Sequence, residues 1–157
     1  VSEHAEGFIS ILHSRGWFES AVNAAGVHVA ASAEGAIQGF IAVTAPPASS
    51  DSGTPAIVRS MLKLAKTLEF DGLPIAEQRY AFRGPVLVDR TARGRGLYSA
   101  FNLVTRKAYR ERFDVGVLFV ADDNPRSLHT TTTKLGAEPL ASFTVDGTQY
   151  RFLAFEF

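Results

Sequence analysis

The stretch GPVLVDRTARGRGLYS, residues 84–99, decides how we interpret this chain. An apolar strand over Val86–Val88 leads through a short polar connection to Gly94 and Gly96, after which residue spacing predicts a helix over 97–113. Glycines let the backbone approach a ligand closely. The first N–H groups of a helix lack intrahelical partners and lie at the positive end of its dipole. The sequence therefore predicts an anion site here, suited to a pyrophosphate.

Length and composition narrow the class of protein. With 157 residues we expect a single domain over 1–157, and no apolar run approaches the roughly 18 residues of a membrane span. The sequence has no cysteine, which excludes disulfides, thiol catalysis and Cys-ligated metal. The four histidines are too dispersed to predict a metal site. Because the first residues also show no signal-peptide pattern, we expect a cytoplasmic protein without membrane contacts.

The charges balance overall but are unevenly distributed. Sixteen basic and sixteen acidic residues give a net charge of zero, which argues against a general nucleic-acid or membrane-surface binder. Nine of the basic residues nevertheless lie between Arg79 and Arg112, beside only two acids, Asp89 and Glu111. The simpler interpretation of Arg106–Arg112 is a solvated helix face. A nucleic-acid module remains a third hypothesis, which the absence of a gel shift at low salt would exclude.

Periodicity and turn residues predict the remaining elements. They are short helices over 3–14 and 17–25, a hairpin of 27–31 and 37–43, a helix over 54–70, strands over 80–88 and 115–121, a helix capped by Asn124 and ended by Gly136, and a final hairpin of 141–145 and 149–157. In the last strand, Phe152 and Leu153 are expected on opposite faces, both of which are apolar. The 35 residues 44–78, between two strands, form a loop-helix segment that we expect to be the lid of an acceptor site.

Two motifs in order resemble those of the GNAT superfamily of N-acetyltransferases. Residues 86–99 are similar to its acyl-CoA motif, an apolar strand followed by Arg/Gln-x-x-Gly-x-Gly/Ala at a helix start, with Arg93 and Gly96 on the fixed points. Residues 124–136 are similar to the next motif, Asn-x-x-Ala/Ser, then a helix and Leu-Gly. The resemblance implies an α/β (α+β) fold, with a mixed, mostly antiparallel sheet and helices on both faces.

The resemblance also implies a cosubstrate, acetyl-CoA, and no metal. Its pyrophosphate would lie on the N–H groups of 94–99, and its pantetheine arm would pair with the backbone of 87–89 where the strands 80–88 and 115–121 splay. A backbone N–H near Val88 would stabilise the oxyanion. The implied cofactor-binding residues are Leu87, Val88, Asp89, Arg93, Gly94, Arg95, Gly96, Leu97, Tyr98, Ser99, Asn124 and Ser127.

The chain departs from the family pattern at several points. Tyr98 replaces the usual final Gly/Ala, so its ring is expected to turn outward. The stretch 127–136 is one residue longer than the family norm, and threonines at 130–133 fill the region where many members carry a Tyr that protonates the departing thiolate. Protonation of the thiolate by solvent is the alternative.

The predicted activity is transfer of an acetyl group from acetyl-CoA to a primary amine by direct attack, the acceptor being a small molecule or a peptide. An alkylamine is mostly protonated at neutral pH, so a proton acceptor is needed. Glu77, Tyr80, Asp122 and His129 are candidates, although none occupies a family-matched position and each is also compatible with a structural role. The missing Tyr favours an alternative, a non-catalytic acyl-CoA binding or sensor domain. Association into a homodimer stays open.

Overall fold

A computed structural model describes residues 10–24, 26–48 and 53–157. Among these residues the helices are α1 (Arg15–Asn23), α2 (Ala56–Ala65), α3 (Leu97–Tyr109) and α4 (Pro125–Thr130), the last continued by a π-helical turn over Thr131–Leu135. The strands are β1 (Val27–Ala31), β2 (Ile37–Thr44), β3 (Glu69–Phe70), β4 (Leu73–Pro74), β5 (Tyr80–Val88), β6 (Val115–Ala121), β7 (Glu138–Val145) and β8 (Thr148–Glu156). No helix within the described ranges is long and apolar enough to cross a membrane.

Six strands form one sheet in the order β1-β2-β5-β6-β8-β7. Every neighbouring pair is antiparallel except β5 and β6, which run parallel at the centre. The sheet is therefore mixed and mostly antiparallel, as predicted. Strands β3 and β4 form a separate small hairpin within the 44–78 segment.

Apolar side chains of β8 alternate between the two faces of the sheet, as the sequence predicts. On one face, Phe152 packs in a core that includes Ile57 and Met61 of α2. On the other face, Leu153 and Phe155 pack with residues at the end of the π-helical turn and partly buried residues of α3 and α4. Helices therefore cover both faces.

Several predicted boundaries are wrong. Helix α2 ends at Ala65 rather than at residue 70, because Glu69–Phe70 pairs with β4, and the Gln78 side chain donates to the carbonyls of Phe70 and Leu73. Helix α3 ends at Tyr109, four residues before the predicted 113. The predicted helix over 3–14 lies mostly outside the described residues, and 10–14 is not helical.

The capping of α1 and α2 also differs from expectation. Helix α1 begins at Arg15, before the predicted residue 17, because the hydroxyl of Ser14 accepts a hydrogen bond from the N–H of Trp17. Helix α2 begins at Ala56 rather than at the predicted residue 54, and Pro55 occupies the N-cap position without a side-chain capping bond.

The π-helical turn accounts for the extra residue between Ser127 and Gly136. A π turn, closed by i→i+5 hydrogen bonds, accommodates one extra residue within a helix. Asn124 caps α4 and Gly136 ends the turn in a left-handed conformation, both as predicted. The insertion therefore leaves the two ends of this motif in place.

Candidate functional site

Strands β5 and β6 separate after only three paired residues. Their register runs from Tyr80 with Val115 to Phe82 with Val117 and stops there, although both strands continue. A cavity of about 680 Å³ opens between the separated lengths, lined by residues 82–86 of β5 and 118–121 of β6. We call this space the cleft. Because the cleft opens beside them, Val86–Val88 are half-buried. The separation of β5 and β6 is the splayed geometry that the family resemblance implies.

One edge of β5 faces the cleft with backbone groups not used in the sheet. The N–H of Asp89 donates to the carbonyl of Gln38 at 2.8 Å, which places Asp89 on the β2 side. Since successive residues of a strand point to opposite edges, Leu87 also faces β2, whereas Val86 and Val88 face the cleft. Of the three backbone positions predicted to pair with a pantetheine arm, Val88 is therefore the one on the open edge.

The connection from β5 to α3 has two glycines in left-handed conformation, Gly94 at φ 78° and Gly96 at φ 81°. Gly96 is the N-cap of α3, and the first helical hydrogen bond runs from the N–H of Ala100 to its carbonyl. The N–H groups of residues 97–99 therefore have no partner within the helix. A Cβ on either glycine would meet nothing within 4 Å, so the space in front of this turn is open.

Two side chains fix the shape of this connection. A carboxylate oxygen of Asp89 accepts from the N–H and the hydroxyl of Thr91, and these bonds, with a smaller contribution from Arg93, hold the Asp89 pKa below its usual range. The Nε of Arg93 donates to the carbonyl of Val88 at 3.2 Å. Arg93 therefore joins the loop to the open edge of β5, and the exposed Arg95 adds a second positive charge.

The opposite side of the cleft is formed by the start of α4. Asn124 is buried, and its side-chain oxygen accepts from the N–H of Ser127 at 3.1 Å. Both residues line the cleft. The structure thus brings these two predicted residues to the same cavity as the β5 edge.

Tyr98 does not turn outward as the sequence predicted. Its ring packs against the core beneath α3 and α4, its hydroxyl lies 3.4 Å from that of Thr131, and the Arg83 guanidinium carbon is 5.0 Å from the ring centroid. The ring turns inward because α4 and β5 present an apolar and cationic surface to it. A Gly or Ala at this position would leave that space unfilled.

None of the predicted proton acceptors lines the cleft. Glu77 is exposed beside the β3–β4 hairpin, and Tyr80 lies at the paired start of β5, where burial raises the pKa of its phenol. Asp122 forms an ion pair with Arg151 at 2.8 Å. His129 is exposed and lines a separate cavity of about 330 Å³ on the outer side of α4.

Of the described residues along the cleft, His13 and Arg83 are the two with titratable side chains, and the sequence identified neither. The His13 ring lies on that of Trp17, with 3.8 Å between centroids, and burial lowers its pKa. Arg83 is 4% exposed. The sequence carries no motif signal for His13, whereas an arginine inside an apolar strand pattern, as at Arg83, is itself a signal.

Solved structures with this architecture include several acetyltransferases. They include a GNAT-family acetyltransferase from Listeria monocytogenes (TM-score 0.59, 15% identity, 89% of this chain and 69% of that chain). A chain of the NatC complex solved with Gag peptide and CoA gives a TM-score of 0.65 at 14% identity, covering 95% of this chain and 83% of that chain. A spermidine N-acetyltransferase from Vibrio cholerae gives 0.55 at 11% identity, covering 88% and 70%.

No family model matches the sequence, and no curated protein matches it. The structural likeness, at these identities, establishes the fold. The chain has the fold of the GNAT superfamily of N-acetyltransferases, as the two motifs predicted.

Proposed function

We propose that this protein transfers an acetyl group from acetyl-CoA to a primary amine. The observation that carries the proposal is the cleft, whose β5 edge leads directly to the open amino terminus of α3. A phosphate needs N–H donors and positive charge, which residues 94–99 and Arg93 supply. An extended amide-bearing arm needs an unpaired strand edge, which Val86–Val88 supplies.

In this arrangement each residue of the cleft has a separate role in the reaction. The N–H of Val88 would pair with the arm, and the N–H of Val86, on the same open edge and nearer to Arg83, would stabilise the oxyanion that forms as the amine attacks the thioester, worth about 3 kcal/mol in comparable sites. Asn124 and Ser127 would hold the opposite side of the arm. We assign the proton acceptor to His13, because burial lowers its pKa and so keeps the imidazole neutral at pH 7.

The acceptor amine would enter from the side lined by α1 and the 44–78 segment, which we propose as the wall of its site. That side includes Trp17, Thr44, Pro47 and Val58, with His13 among them. The neighbouring structures include a spermidine acetyltransferase and a complex bound to a peptide, so both small-molecule and peptide amines belong in the test. A cytoplasmic location, a single domain over 1–157 and the oligomeric state remain predictions.

The test combines binding and turnover. Acetyl-CoA at a thousandfold excess over its Kd should raise the free energy of unfolding by about 4 kcal/mol, which appears as a higher melting temperature. Release of free thiol from acetyl-CoA is then measured against a panel of alkylamines, polyamines and peptides. An unchanged melting temperature would contradict the proposal.

A second candidate is a non-catalytic acyl-CoA binding domain. It is favoured by the positions of Glu77, Tyr80 and His129, all of which lie away from the cleft. The same experiment separates the two candidates, because a binding domain would show the rise in melting temperature without thiol release from any amine.

A further inference from the structure

Arg83 is a buried cation whose donors are only partly satisfied. Its side chain belongs to β5 at the residue where pairing with β6 has just ended, and it is 4% exposed. Its Nη2 donates to the side-chain oxygen of Asn102 at 2.6 Å. Within the described structure, its Nε and Nη1 have no hydrogen-bond partner.

The charge of Arg83 is also uncompensated. Burial lowers the pKa of the guanidinium, the Tyr98 phenol opposes that effect, and the like charge of Arg106 adds to it. Both neighbours belong to α3, and among the described residues no carboxylate pairs with Arg83. A buried charge without a partner destabilises the folded state. Two buried donors without a partner and an unbalanced charge, on a residue that lines the cleft, favour a site that binds an anion.

The position of Arg83 indicates which anion it would meet. With phosphates at the start of α3, the arm of CoA would follow the β5 edge from Val88 toward Arg83, and its sulfur would lie at the inner end of the cleft. The phosphates themselves would lie outside, near the exposed Arg95. Residues 130–133, at the end of α4 and in the π-helical turn, are threonines, which are poor acids, and His129 of α4 is exposed outside the cleft, so this helix supplies no proton to a departing thiolate.

We propose that Arg83 is a catalytic residue that stabilises the CoA thiolate as it leaves; this inference rests on the proposed function. The amine nitrogen forms a bond to the thioester carbon, and the carbon–sulfur bond breaks with its electron pair on sulfur. The excess proton of the amine goes to His13. The thiolate carries one negative charge beside the guanidinium and takes its proton from solvent after release. An arginine suits this role because it stays charged and acts without transferring a proton.

The test measures the thiol rather than turnover. Binding of CoA and of desulfo-CoA, which lacks the sulfur, is compared by calorimetry from pH 6 upward through the usual thiol pKa of about 8.5. If Arg83 stabilises the thiolate, CoA should gain about tenfold in affinity relative to desulfo-CoA as pH rises, the change expected for a thiol pKa lowered by about one unit. Arg83→Met should abolish this gain, and Arg83→Lys should restore part of it.

Arg106→Met is the matched control. Arg106 also lies over the Phe155 ring, at 5.8 Å compared with 6.0 Å for Arg83, but it donates to the carbonyl of Leu135 and does not line the cleft. Its replacement should leave the pH-dependent gain unchanged. Ultraviolet absorbance of the thiolate, titrated on the wild-type protein with bound CoA, needs no variant and applies even if Arg83→Met fails to fold.

The possible outcomes distinguish a failure of the proposed function from a failure of the role of Arg83. If wild-type protein binds no CoA at any pH, the proposed function fails. If CoA binds but its thiol titrates at or above the free value, only the role of Arg83 fails. Equal losses of CoA and desulfo-CoA affinity in Arg83→Met would assign the guanidinium to a phosphate. An Arg83-dependent preference for succinyl-CoA over acetyl-CoA would assign it to an acyl carboxylate. Either result overturns the thiolate proposal.

Discussion

At the scale of single residues, Gly96 and Gly35 have the same backbone conformation in different surroundings. Gly96 has φ 81° at the start of α3, and Gly35 has φ 85° in the turn between β1 and β2. A Cβ at either position would meet nothing within 4 Å, so any penalty for a larger residue comes from the backbone alone. The pair therefore separates the conformational cost of a side chain from its effect on a ligand.

We predict that Gly96→Ala and Gly35→Ala each lower the free energy of unfolding by about 1–2 kcal/mol, the cost of the left-handed conformation. Only Gly96→Ala should also weaken CoA binding, because its Cβ would enter the open space in front of the α3 N–H groups that we propose to bind the phosphates. Chemical denaturation gives the first quantity and calorimetry the second. Equal losses of CoA affinity in the two variants would remove the glycine turn from the binding site.

His13 and His129 make a second pair, one inside the cleft and one outside. We predict that His13→Gln lowers amine acetylation by about 10²–10⁴-fold, the usual contribution of a general base, while His129→Gln leaves it unchanged. Because burial lowers the His13 pKa, the loss of activity that His13 causes should lie below the ordinary value of 6.5, separate from the protonation of the acceptor amine at a pH of about 10. Rates measured across pH, with CoA affinity as the control for folding, check this. A wild-type pH profile retained by His13→Gln would contradict it.

At the scale of elements, β6 and β8 pack tightly at Gly116, which pairs with Phe155. A Cβ on Gly116 would lie 2.2 Å from ring carbons of Phe155, whose side chain is 1% exposed. We predict that Gly116→Ala lowers the free energy of unfolding by about 1–3 kcal/mol, as overpacked cores do. The double variant Gly116→Ala, Phe155→Leu should recover part of this loss in a denaturation experiment. No recovery would mean that the ring is not the cause.

Features that neighbouring residues determine were predictable from the sequence. A helix end that depends on the pairing of later strands was not. The caps at Asn124 and Gly136 are local, and so is the alternation of Phe152 and Leu153. The end of α2 was missed because its apolar spacing continues through Leu68, while the chain instead turns to pair β3 with β4. Helical periodicity carries no information about a partner strand that follows it.

The same distinction holds within the candidate site. The motifs predicted the glycine turn and Asn124, since these are properties of contiguous sequence, whereas the open strand edge was implied by the family resemblance. The inward turn of Tyr98 and the burial of Arg83 arise from packing between β5, α3 and α4, which are distant in sequence. His13 lines the cleft from the residues just before α1, and these residues belong to no motif.

At the scale of the whole molecule, two half-buried histidines set the response to acid. Burial lowers the pKa of His13 and of His28, whose Nε2 lies 3.0 Å from the Tyr109 hydroxyl. Below pH 6.5 the unfolded chain therefore binds protons more readily than the folded one, and stability falls as pH falls. Asp114, held below its usual pKa by hydrogen bonds from Arg79, contributes stability above about pH 4 that is lost further down.

We predict a melting temperature that is constant above about pH 7, declines toward pH 5.5 and drops again below about pH 4. His28→Gln should flatten the upper decline, whatever its effect on the melting temperature at pH 7.5. Differential scanning calorimetry across pH measures both. A melting temperature that rises as the pH is lowered from 7 to 5.5 would contradict the lowered pKa values of His13 and His28.

The short contact between β5 and β6 has a mechanical consequence. The sheet consists of two three-stranded plates, one of β1, β2 and β5 and the other of β6, β8 and β7, joined through three residue pairs at one end. Along the remaining length, nothing in the backbone ladder couples one plate to the other. A molecule bound between them would contact both plates, so we expect occupancy of the cleft to restrict their relative movement about the paired residues Tyr80–Phe82 and Val115–Val117.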